Sequence, residues 1–250
     1  MKAVLSTVLL AVSLSSASAR EPMAVTLSFD DSTLDHYVYA VPALERHGYR
    51  GTFCLITAWV GTMDHGFQLT WDNVRDMKKR GHVIATHTHD HVNTGKLVKE
   101  GKADEVRRQL VVSRDLIKKE TGSAPDYFGA PFASFGPEVI RIAAEEGLVT
   151  MTDIRLNHGG GENKYPSYGS DGNVGETIRA WYEKGAPGID LVFHGIHPKL
   201  GVWHPFKDPA ELDRALDQVQ ELEKAGMIRV LGCRDFHDFM KAKGRLPGRP

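Results

Sequence analysis

The chain has few cysteines, almost no net charge and no long apolar run after its first residues. Each absence narrows the range of functions that the protein can have. Its 31 basic and 32 acidic side chains give a formal net charge of −1, so it lacks the basic field that favours nucleic acid as the main partner. Its two cysteines, Cys54 and Cys233, lie far apart and show no C-x-x-C spacing. In an exported protein they could form a disulfide, but both close apolar runs, which favours buried thiols.

The longest apolar stretch of the sequence lies at the N-terminus. Lys2 supplies a positive charge, residues 4–14 are largely apolar, and Ala17-Ser18-Ala19 matches an A-x-A cleavage site, as in a secretory signal. This stretch is too short to anchor the chain in a bilayer, which takes ~20 residues, and no later segment is apolar enough to span one. We therefore expect residues 1–19 to be a signal peptide, residues 20–250 to form the mature domain, and the protein to be exported to the periplasm, the cell envelope or the medium.

The mature sequence alternates short apolar runs with helical patterns. The runs of strand character are Ala24–Phe29, Gly51–Thr57, His82–His87, Asp126–Ala130, Leu148–Ile154, Ile189–His194 and Ile228–Cys233. The helical segments between them are Trp71–Arg80 after a Thr70 cap, Lys102–Glu120, residues 136–147 and residues 208–226. Strands that alternate with helices predict parallel βαβ units, arranged as a barrel or as a doubly wound sheet. The length suits one α/β barrel domain.

The segment His82–His91 reads HVIATHTHDH and places three histidines and a carboxylate directly after a strand-like run. Neutral imidazole is the commonest protein ligand of zinc-like ions, and the four-residue spacing of His87 and His91 lets both rings converge. The alternatives are a solvated polar loop or a tract that binds metals nonspecifically. On balance this segment favours a metal site.

Other polar or unusual residues also follow strand-like runs. They are Asp30 and Asp31 after the first run, Pro131-Phe132 after the fourth, Asp153 at the end of the fifth and His194 at the end of the sixth. The carboxyl ends of parallel strands lie on one face of an α/β fold, where active sites are built. We therefore expect these residues and the histidine segment to meet on one rim.

The residue types in this set suit metal-assisted hydrolysis. Asp31, His87 and His91 offer three ligands and would leave positions open on the metal, which is typical of catalytic rather than structural sites. Asp30 would serve as the base and His194 as the acid. The alternatives are that the two aspartates form a turn or cap a helix, and that His194 is a core histidine whose nitrogens are both hydrogen-bonded.

Four motifs resemble those of the polysaccharide deacetylases, the NodB-homology enzymes of carbohydrate esterase family 4. They are Phe29-Asp30-Asp31, His87-Thr88-x-x-His91, the Pro-aromatic pair Pro131-Phe132 and the strand that ends in His194. The resemblance covers roughly residues 24–240, and the order and spacing of the first two motifs match. It implies a distorted (β/α)7 barrel in a single domain.

The resemblance also implies the chemistry. Asp31, His87 and His91 would bind a divalent metal, usually Zn²⁺, with Asp30 as the base and the histidine after the sixth run as the acid. A metal-bound water would attack the acetyl carbonyl of an N- or O-acetylated sugar and release acetate, while the Phe132 N–H would help to stabilise the oxyanion. The partner would be an acetylated polysaccharide or oligosaccharide.

Several positions depart from the family pattern. Ser32 follows the first motif in place of glycine, Gly129 stands where an arginine usually pairs with the base, and Val192 replaces a leucine. The region of the usual Asp-Trp pair reads Asp153-Ile-Arg155 without tryptophan, and Asp153 and Arg155 are candidates to contact the substrate or the oxyanion. One hypothesis is that Arg155 supplies the missing guanidinium to the base; the alternative is that it is a surface charge.

Two rival functions remain open. Gly129 favours a catalytically impaired carbohydrate-binding protein that keeps the metal, and an amidase acting on a non-sugar C–N bond would use the same fold. Aromatic residues in the loop 158–175, Tyr165 and Tyr168, and Trp203 in a later loop favour a sugar, because aromatic rings suit sugar faces; ordinary loop packing is the alternative. Release of acetate from acetylated oligosaccharides would separate these functions.

Overall fold

Strands and helices follow the predicted alternation in the parts of the chain that the computed structural model describes. These parts are residues 20–63, 66–151, 155–157, 173–201, 206 and 208–244. Several sequence predictions fall elsewhere: the signal peptide 1–19, Asp153, Tyr165, Tyr168, Trp203 and the side chain of Arg155 lie outside the described residues.

Eight strands form one sheet in which every pairing is parallel. They are β1 (Met23–Asp30), β2 (Thr52–Leu55), β3 (Val83–Thr86), β4 (Tyr127–Gly129), β5 (Val149–Met151), β6 (Arg155–Asn157), β7 (Gly188–Phe193) and β8 (Ile228–Val230). Their order is β5-β4-β3-β2-β1-β7-β6, with β8 paired to β1. The predicted α/β fold is therefore confirmed.

β1 is the central strand, and each of its residues is buried. One edge pairs with β7 from Ala24 to Phe29. The other edge is divided, because its first residues pair with β8 and its last ones, from Ser28 to Asp30, pair with β2. Among the described residues, β5 and β6 end the sheet without pairing to each other. The described sheet is therefore a barrel open between these two strands, in agreement with the distorted barrel that the resemblance implies.

The strand prediction is wrong in its count. The predicted strand Leu148–Ile154 contains β5 (Val149–Met151), and residues 152–154 lie outside the described part of the chain, but a further strand, β6, begins at Arg155. Arg155 and Asn157 are polar, so no apolar run marks β6 in the sequence. The described sheet consequently has eight strands and not seven.

Helices connect the strands, and their ends follow local sequence signals. After a π-helical turn at His36–Ala40, they are α1 (Val41–Arg46), α2 (Trp71–Lys79), α3 (Thr94–Lys99), α4 (Ala103–Thr121), α5 (Pro137–Glu145), α6 (Val174–Glu183), α7 (Ala210–Lys224) and α8 (Cys233–Ala242). Thr70 caps α2 as predicted, because its Oγ1 accepts from the Asn73 N–H at 3.2 Å while Asn73 Oδ1 accepts from the Thr70 N–H at 2.9 Å. Within these described segments, no helix combines the length and the apolar character that crossing a membrane requires.

An aromatic stack supports the carboxyl end of β1. Phe29 lies between Phe53 of β2 and Phe193 of β7, with ring centroids 4.9 and 5.1 Å apart, on the face of the sheet that helices cover. Full burial of an aromatic side chain stabilises a fold by roughly 1.5–3 kcal/mol. The stack therefore holds the strand firmly at the residue before Asp30.

Both cysteines lie on the opposite face of the sheet. Cys54 of β2 and Cys233 at the start of α8 are buried in one cluster with Ala85, Tyr127 and Met151. Successive side chains of a strand point to opposite faces, which is why Cys54 faces this cluster while its neighbour Phe53 faces the helices. The predicted burial of both cysteines is confirmed.

His82 is buried just before β3, at the amino end of the sheet. Its ring packs edge-on against Phe53 with centroids 5.4 Å apart, its Nδ1 accepts from the Gly51 N–H at 3.2 Å, and its Nε2 lies 3.6 Å from Glu45 Oε1. Burial lowers the pKa of His82 to about 4, and the carboxylate of Glu45 only partly opposes this. The folded protein therefore holds a neutral imidazole here at pH 7.

This burial predicts that acid destabilises the fold through His82. Between an ordinary histidine pKa of 6.5 and about 4, the unfolded chain binds a proton that the folded chain does not, so stability falls as the pH falls. In urea unfolding, the wild type should lose about 2 kcal/mol more than His82→Gln between pH 7 and pH 4.5. Equal losses in the two proteins would contradict the burial of a neutral imidazole at this position.

Candidate active site

The candidate residues lie at the carboxyl ends of neighbouring strands. Asp30 is the last residue of β1, His87 follows β3 directly, and His194 follows β7 directly. Because the strands are parallel, these ends share one rim. Phe29 pairs with Phe193, so Asp30 and His194 leave the sheet at the same level.

The turn after β1 adopts a conformation that residues other than glycine rarely take. Asp31 and Ser32 have φ values of 81° and 60°, and left-handed values of this kind cost about 1–3 kcal/mol each. Ser32 offsets part of that cost, since its Oγ accepts from the Ile56 N–H and its carbonyl accepts from the Leu69 N–H, both at 2.8 Å. These bonds explain how serine tolerates this backbone conformation.

The loop after β3 also contains left-handed residues. Thr88 and His91 have φ values of 68° and 58°, so the two histidines converge through a bent loop and not along a helix. The carbonyl of Thr88 accepts from the Thr57 N–H at 3.3 Å, which ties this loop to the end of β2. The ring centroids of His87 and His91 lie 5.1 Å apart as a result.

Asp31, His87 and His91 bring three donor atoms together. Nε2 of His87 lies 3.6 Å, and Nε2 of His91 lies 3.5 Å, from Asp31 Oδ1. A tetrahedral ion with bonds of 2.0–2.1 Å holds its ligand atoms about 3.3 Å apart, so this spacing fits one metal ion. Within the described part of the chain, this is the one cluster of three or more His, Cys, Asp or Glu side chains whose donor atoms all lie within 4.8 Å of one another.

The orientation of His87 suits metal binding. Its Nδ1 lies 2.7 Å from the carbonyl oxygen of Gly129. A carbonyl only accepts hydrogen bonds, so Nδ1 carries the proton and Nε2 keeps its lone pair on the side of Asp31. Backbone acceptors commonly fix the tautomer and the ring plane of metal-binding histidines in this way.

Asp30 lies against the donor cluster without belonging to it. Asp30 is 3% exposed, and its Oδ2 lies 3.8 Å from His87 Nε2. His194 is half-buried, and its backbone carbonyl accepts from His36 Nε2 at 2.6 Å. Both residues therefore stand at the rim where the sequence predicts them.

Comparison with known proteins agrees with this geometry. The family model of polysaccharide deacetylases matches residues 17–151, which is more than half of the chain. The chain belongs to the polysaccharide deacetylase family. The matched part includes Asp30, Asp31, His87 and His91, whereas His194 lies beyond it.

One curated relative and two solved structures illustrate what this chain is similar to. A chitin deacetylase from Arthroderma benhamiae is 28% identical over 122 residues, which make up 48% of this chain and 31% of that protein. An acetyl xylan esterase of family 4 from Clostridium thermocellum, solved in complex with a cobalt ion, gives a TM-score of 0.59 at 19% identity and is matched over 90% of this chain and 93% of that chain. A family 4 pseudoenzyme from Bacillus anthracis gives a TM-score of 0.60 at 18% identity, over 86% of this chain and 65% of that chain. The two structures show that the fold is shared. The chain spans about a third of the length of the curated relative.

One departure from the deacetylase pattern concerns the surroundings of Asp30, the residue predicted to act as the base. Gly129 contributes its carbonyl to the site but has no side chain that could pair with Asp30. Arg155 is the residue proposed to replace the missing arginine. Its backbone pairs with Asp190 of β7, and Asp190 pairs with Thr26 of β1. Thr26 lies four residues before Asp30. The Arg155 side chain lies outside the described residues, so its contact with Asp30 stays a prediction.

Two aromatic rings lie beside His91 in the candidate deacetylase site. The Phe132 ring is 63% exposed with its centroid 4.7 Å from that of His91, and the Trp59 ring lies 5.5 Å away from it. Phe132 has a φ of 59° within the short turn Pro131–Ala133, and its proposed N–H donation to an oxyanion stays a prediction. Trp59 was not identified from the sequence, where its only signal is a place just after the strand-like run Gly51–Thr57.

Gln109 is a second residue that sequence reasoning missed. Its Oε1 accepts from the N–H groups of His89 and Asp90 at 3.1 and 2.8 Å, and its Nε2 donates to Asp90 Oδ2 at 2.7 Å. The His89 ring bonds to Thr57 Oγ1 at 2.9 Å, so His89 and Asp90 hold the loop and lie outside the donor cluster. Its sequence signal is weak, because Gln109 adjoins Leu110 on the apolar face of the predicted helix Lys102–Glu120 but no local pattern marks its partners in the histidine loop.

We expect metal binding to require His91 but not His89. Loss of an outer contact alone commonly lowers metal affinity 10- to 100-fold, so His91→Gln, which removes a donor, should lower it by more than ~100-fold. His89→Gln is the matched control from the same loop. In calorimetric titration with Zn²⁺, His89→Gln, whose amide can still bond to Thr57, should lose less than ~10-fold in affinity. In unfolding experiments, wild-type stability should rise by about 2.7 kcal/mol at a zinc concentration 100-fold above Kd. Equal binding by His91→Gln and the wild type would show that the ion binds elsewhere.

Proposed function

We propose that this protein is a metal-dependent hydrolase that removes acetyl groups from N- or O-acetylated sugars of a polysaccharide. The observation that carries the proposal is the Asp31, His87 and His91 cluster, with donor atoms 3.5 and 3.6 Å apart, and Asp30 3.8 Å from it. This cluster lies on the rim of a chain that belongs to the polysaccharide deacetylase family. Membership supports the proposed reaction class, and the local geometry supports the proposed roles of individual residues.

The donor set fits a divalent transition metal, and Zn²⁺ is the ion that we propose. Two imidazole nitrogens and one carboxylate oxygen suit zinc and its neighbours better than Mg²⁺ or Ca²⁺, which prefer oxygen ligands. Three protein ligands leave room for a further one, as in catalytic sites. When bound, such an ion lowers the pKa of water and stabilises negative charge on a carbonyl oxygen.

Asp30 and His194 would move the protons. The buried Asp30 carboxylate accepts the proton of the attacking water. Asp30 and Asp31 can both be ionised side by side because a bound dication would offset the repulsion between the two carboxylates. His194 donates a proton to the leaving nitrogen or oxygen of the sugar. The Phe132 N–H donates to the carbonyl oxygen on which charge develops.

An acetylated glycan is the substrate class that the site supports. The exposed Phe132 ring beside His91 offers an apolar face to a sugar ring. The curated relative acts on chitin by its name and the structural neighbour on acetyl xylan, so both N-acetyl and O-acetyl groups are open as targets. The predicted signal peptide at residues 1–19 would bring the protein to the compartment of such polysaccharides.

A catalytically impaired carbohydrate-binding protein is the second candidate. Gly129 favours it, because the site has no arginine at that position to pair with Asp30. A protein from Bacillus anthracis that shares this fold is a family 4 pseudoenzyme by its name, which supports this candidate. Binding of acetylated glycans without turnover would support this candidate over the first.

Acetate release tests the proposed function. The zinc-loaded wild type should release acetate from acetylated chitooligosaccharides or acetylated xylan, and Asp30→Asn should be at least ~100-fold slower, since a general base contributes 10²- to 10⁴-fold. Zinc content should be equal in both proteins, because Asp30 lies outside the donor cluster. Asp72→Asn, on an exposed part of α2, is the control and should keep the wild-type rate.

Three results would contradict the proposal. Unchanged acetate release by Asp30→Asn would remove the assigned base. Glycan binding without acetate release by the wild type would favour the impaired protein, and hydrolysis of small non-sugar amides alone would favour an amidase.

A further inference from the structure

We infer that Asp35 and His36 are positioning residues, which hold the loop bearing His194 in place against the loop bearing the metal-binding aspartate. The catalytic consequence of this inference rests on the proposed function, whereas the structural connection does not. Asp35 is 0% exposed and His36 1% exposed, and nothing in the proposed proton transfers uses either side chain.

The buried Asp35 carboxylate binds the loop that follows β7. Its Oδ2 accepts from the N–H groups of Ile196 and His197 at 2.5 and 2.9 Å, and its Oδ1 accepts from Thr33 Oγ1. Hydrogen bonds to a charged acceptor are shorter and about twice as strong as neutral ones. A buried charge is tolerated only when it is compensated in this way, so the carboxylate and the two N–H groups stabilise each other.

His36 makes a second connection between the same loops. Its Nε2 lies 2.6 Å from the backbone carbonyl of His194, and since a carbonyl only accepts, Nε2 is the donor. The His36 ring packs edge-on against Phe29 with centroids 5.5 Å apart. The carbonyl of His194 is thereby attached to the aromatic stack beneath Asp30.

The chain packs tightly around this connection. Gly201 lies so close to Asp35 that a Cβ atom there would clash with the carboxylate, and its N–H donates to the His197 carbonyl at 2.8 Å. The loop from Gly195 to Gly201 is therefore folded down onto Asp35. Glycine is required at 201 because any side chain would push the loop away from the carboxylate.

The connection between the two loops positions two groups of the proposed reaction. Asp35 lies four residues after Asp31 and contacts the backbone two residues after His194, so one short segment fixes both the metal-binding carboxylate and the proposed acid. A displacement of about 1 Å in a catalytic group can cost ~100-fold in rate. Loosening this segment should therefore impair proton donation by His194 more than it impairs the donor cluster, which other bonds hold.

The leaving group separates positioning from general structural support. An acetylated sugar needs a proton on its leaving atom, whereas the nitrophenolate of 4-nitrophenyl acetate leaves without one. We expect Asp35→Asn and His36→Leu to lower kcat on an acetylated chitooligosaccharide by ~10-fold or more, with KM and zinc content close to those of the wild type. The rate on 4-nitrophenyl acetate should fall by less than ~3-fold, since that reaction does not depend on the acid.

Two further variants sharpen the comparison. His36→Gln keeps an N–H group that can reach the His194 carbonyl and should recover most of the loss seen in His36→Leu. His237 is another buried histidine; it lies on α8, and its ring packs against Tyr127 with centroids 4.9 Å apart. His237→Leu should keep the wild-type rates on the chitooligosaccharide and on 4-nitrophenyl acetate. Parallel losses on both substrates in Asp35→Asn and His36→Leu would overturn the positioning role.

Amide hydrogen exchange tests the connection without any activity. In the wild type the N–H groups of Ile196 and His197 should be protected, and in Asp35→Ala both should exchange at least ~10-fold faster, because an unbonded amide is open to solvent. His237→Leu is the control and should leave both rates unchanged. Should Asp35→Ala fail to fold, Asp35→Asn keeps the shape and one acceptor oxygen and should show a smaller acceleration.

Acetate release and amide exchange test separate claims. A wild type that releases no acetate defeats the proposed function, while faster exchange in Asp35→Ala still supports the connection between the loops. Unchanged protection of Ile196 and His197 in the Asp35 variants overturns the inference even when acetate is released.

Discussion

β1 pairs in parallel with β7 along one edge and with β2 at the end of the other, and this pairing sets where each residue of the site lies. It places Asp30 and His194 at the same level, beneath which Phe29 stacks between two further phenylalanines. Since β3 pairs with β2 in turn, the histidine loop emerges on the same rim. A slip of one residue in β1 would turn Asp30 away from its present face. The site thus depends first on strand register and only then on the loops.

The loops add strain that the surrounding bonds offset. Asp31, Ser32, Thr88, His91 and Phe132 all have positive φ values, and residues held in this way gather at functional sites when neighbouring structure determines their conformation. Ser32 bonds to the end of β2, Thr88 accepts from Thr57 at the same place, and Gln109 holds the residues between the two histidines. The donor cluster is therefore preorganised by bonds that reach it from β2 and α4. Asp35 and His36 extend the same principle to the loop after β7.

Much of the fold and part of the site could be predicted from the sequence. Apolar runs and helix caps marked seven of the eight described strands and the capped helix α2, because burial and capping leave periodic local signals. The convergence of Asp31, His87 and His91 was predictable because metal-binding residue types follow strand ends. β6 was missed since Arg155 and Asn157 are polar. Gln109, Asp35 and His36 were missed for a different reason: their partners are backbone groups of distant segments, and a local pattern does not encode such contacts.

X-ray absorption spectroscopy of the zinc-loaded protein tests most directly whether Asp31, His87 and His91 hold the ion. The geometry predicts one zinc ion per chain with two imidazole nitrogens and oxygen ligands at about 2.0–2.1 Å. A spectrum with sulfur at about 2.3 Å, which Cys54 or Cys233 would supply, would contradict the assignment. A spectrum with three imidazole ligands would contradict it equally, because the cluster contains only two.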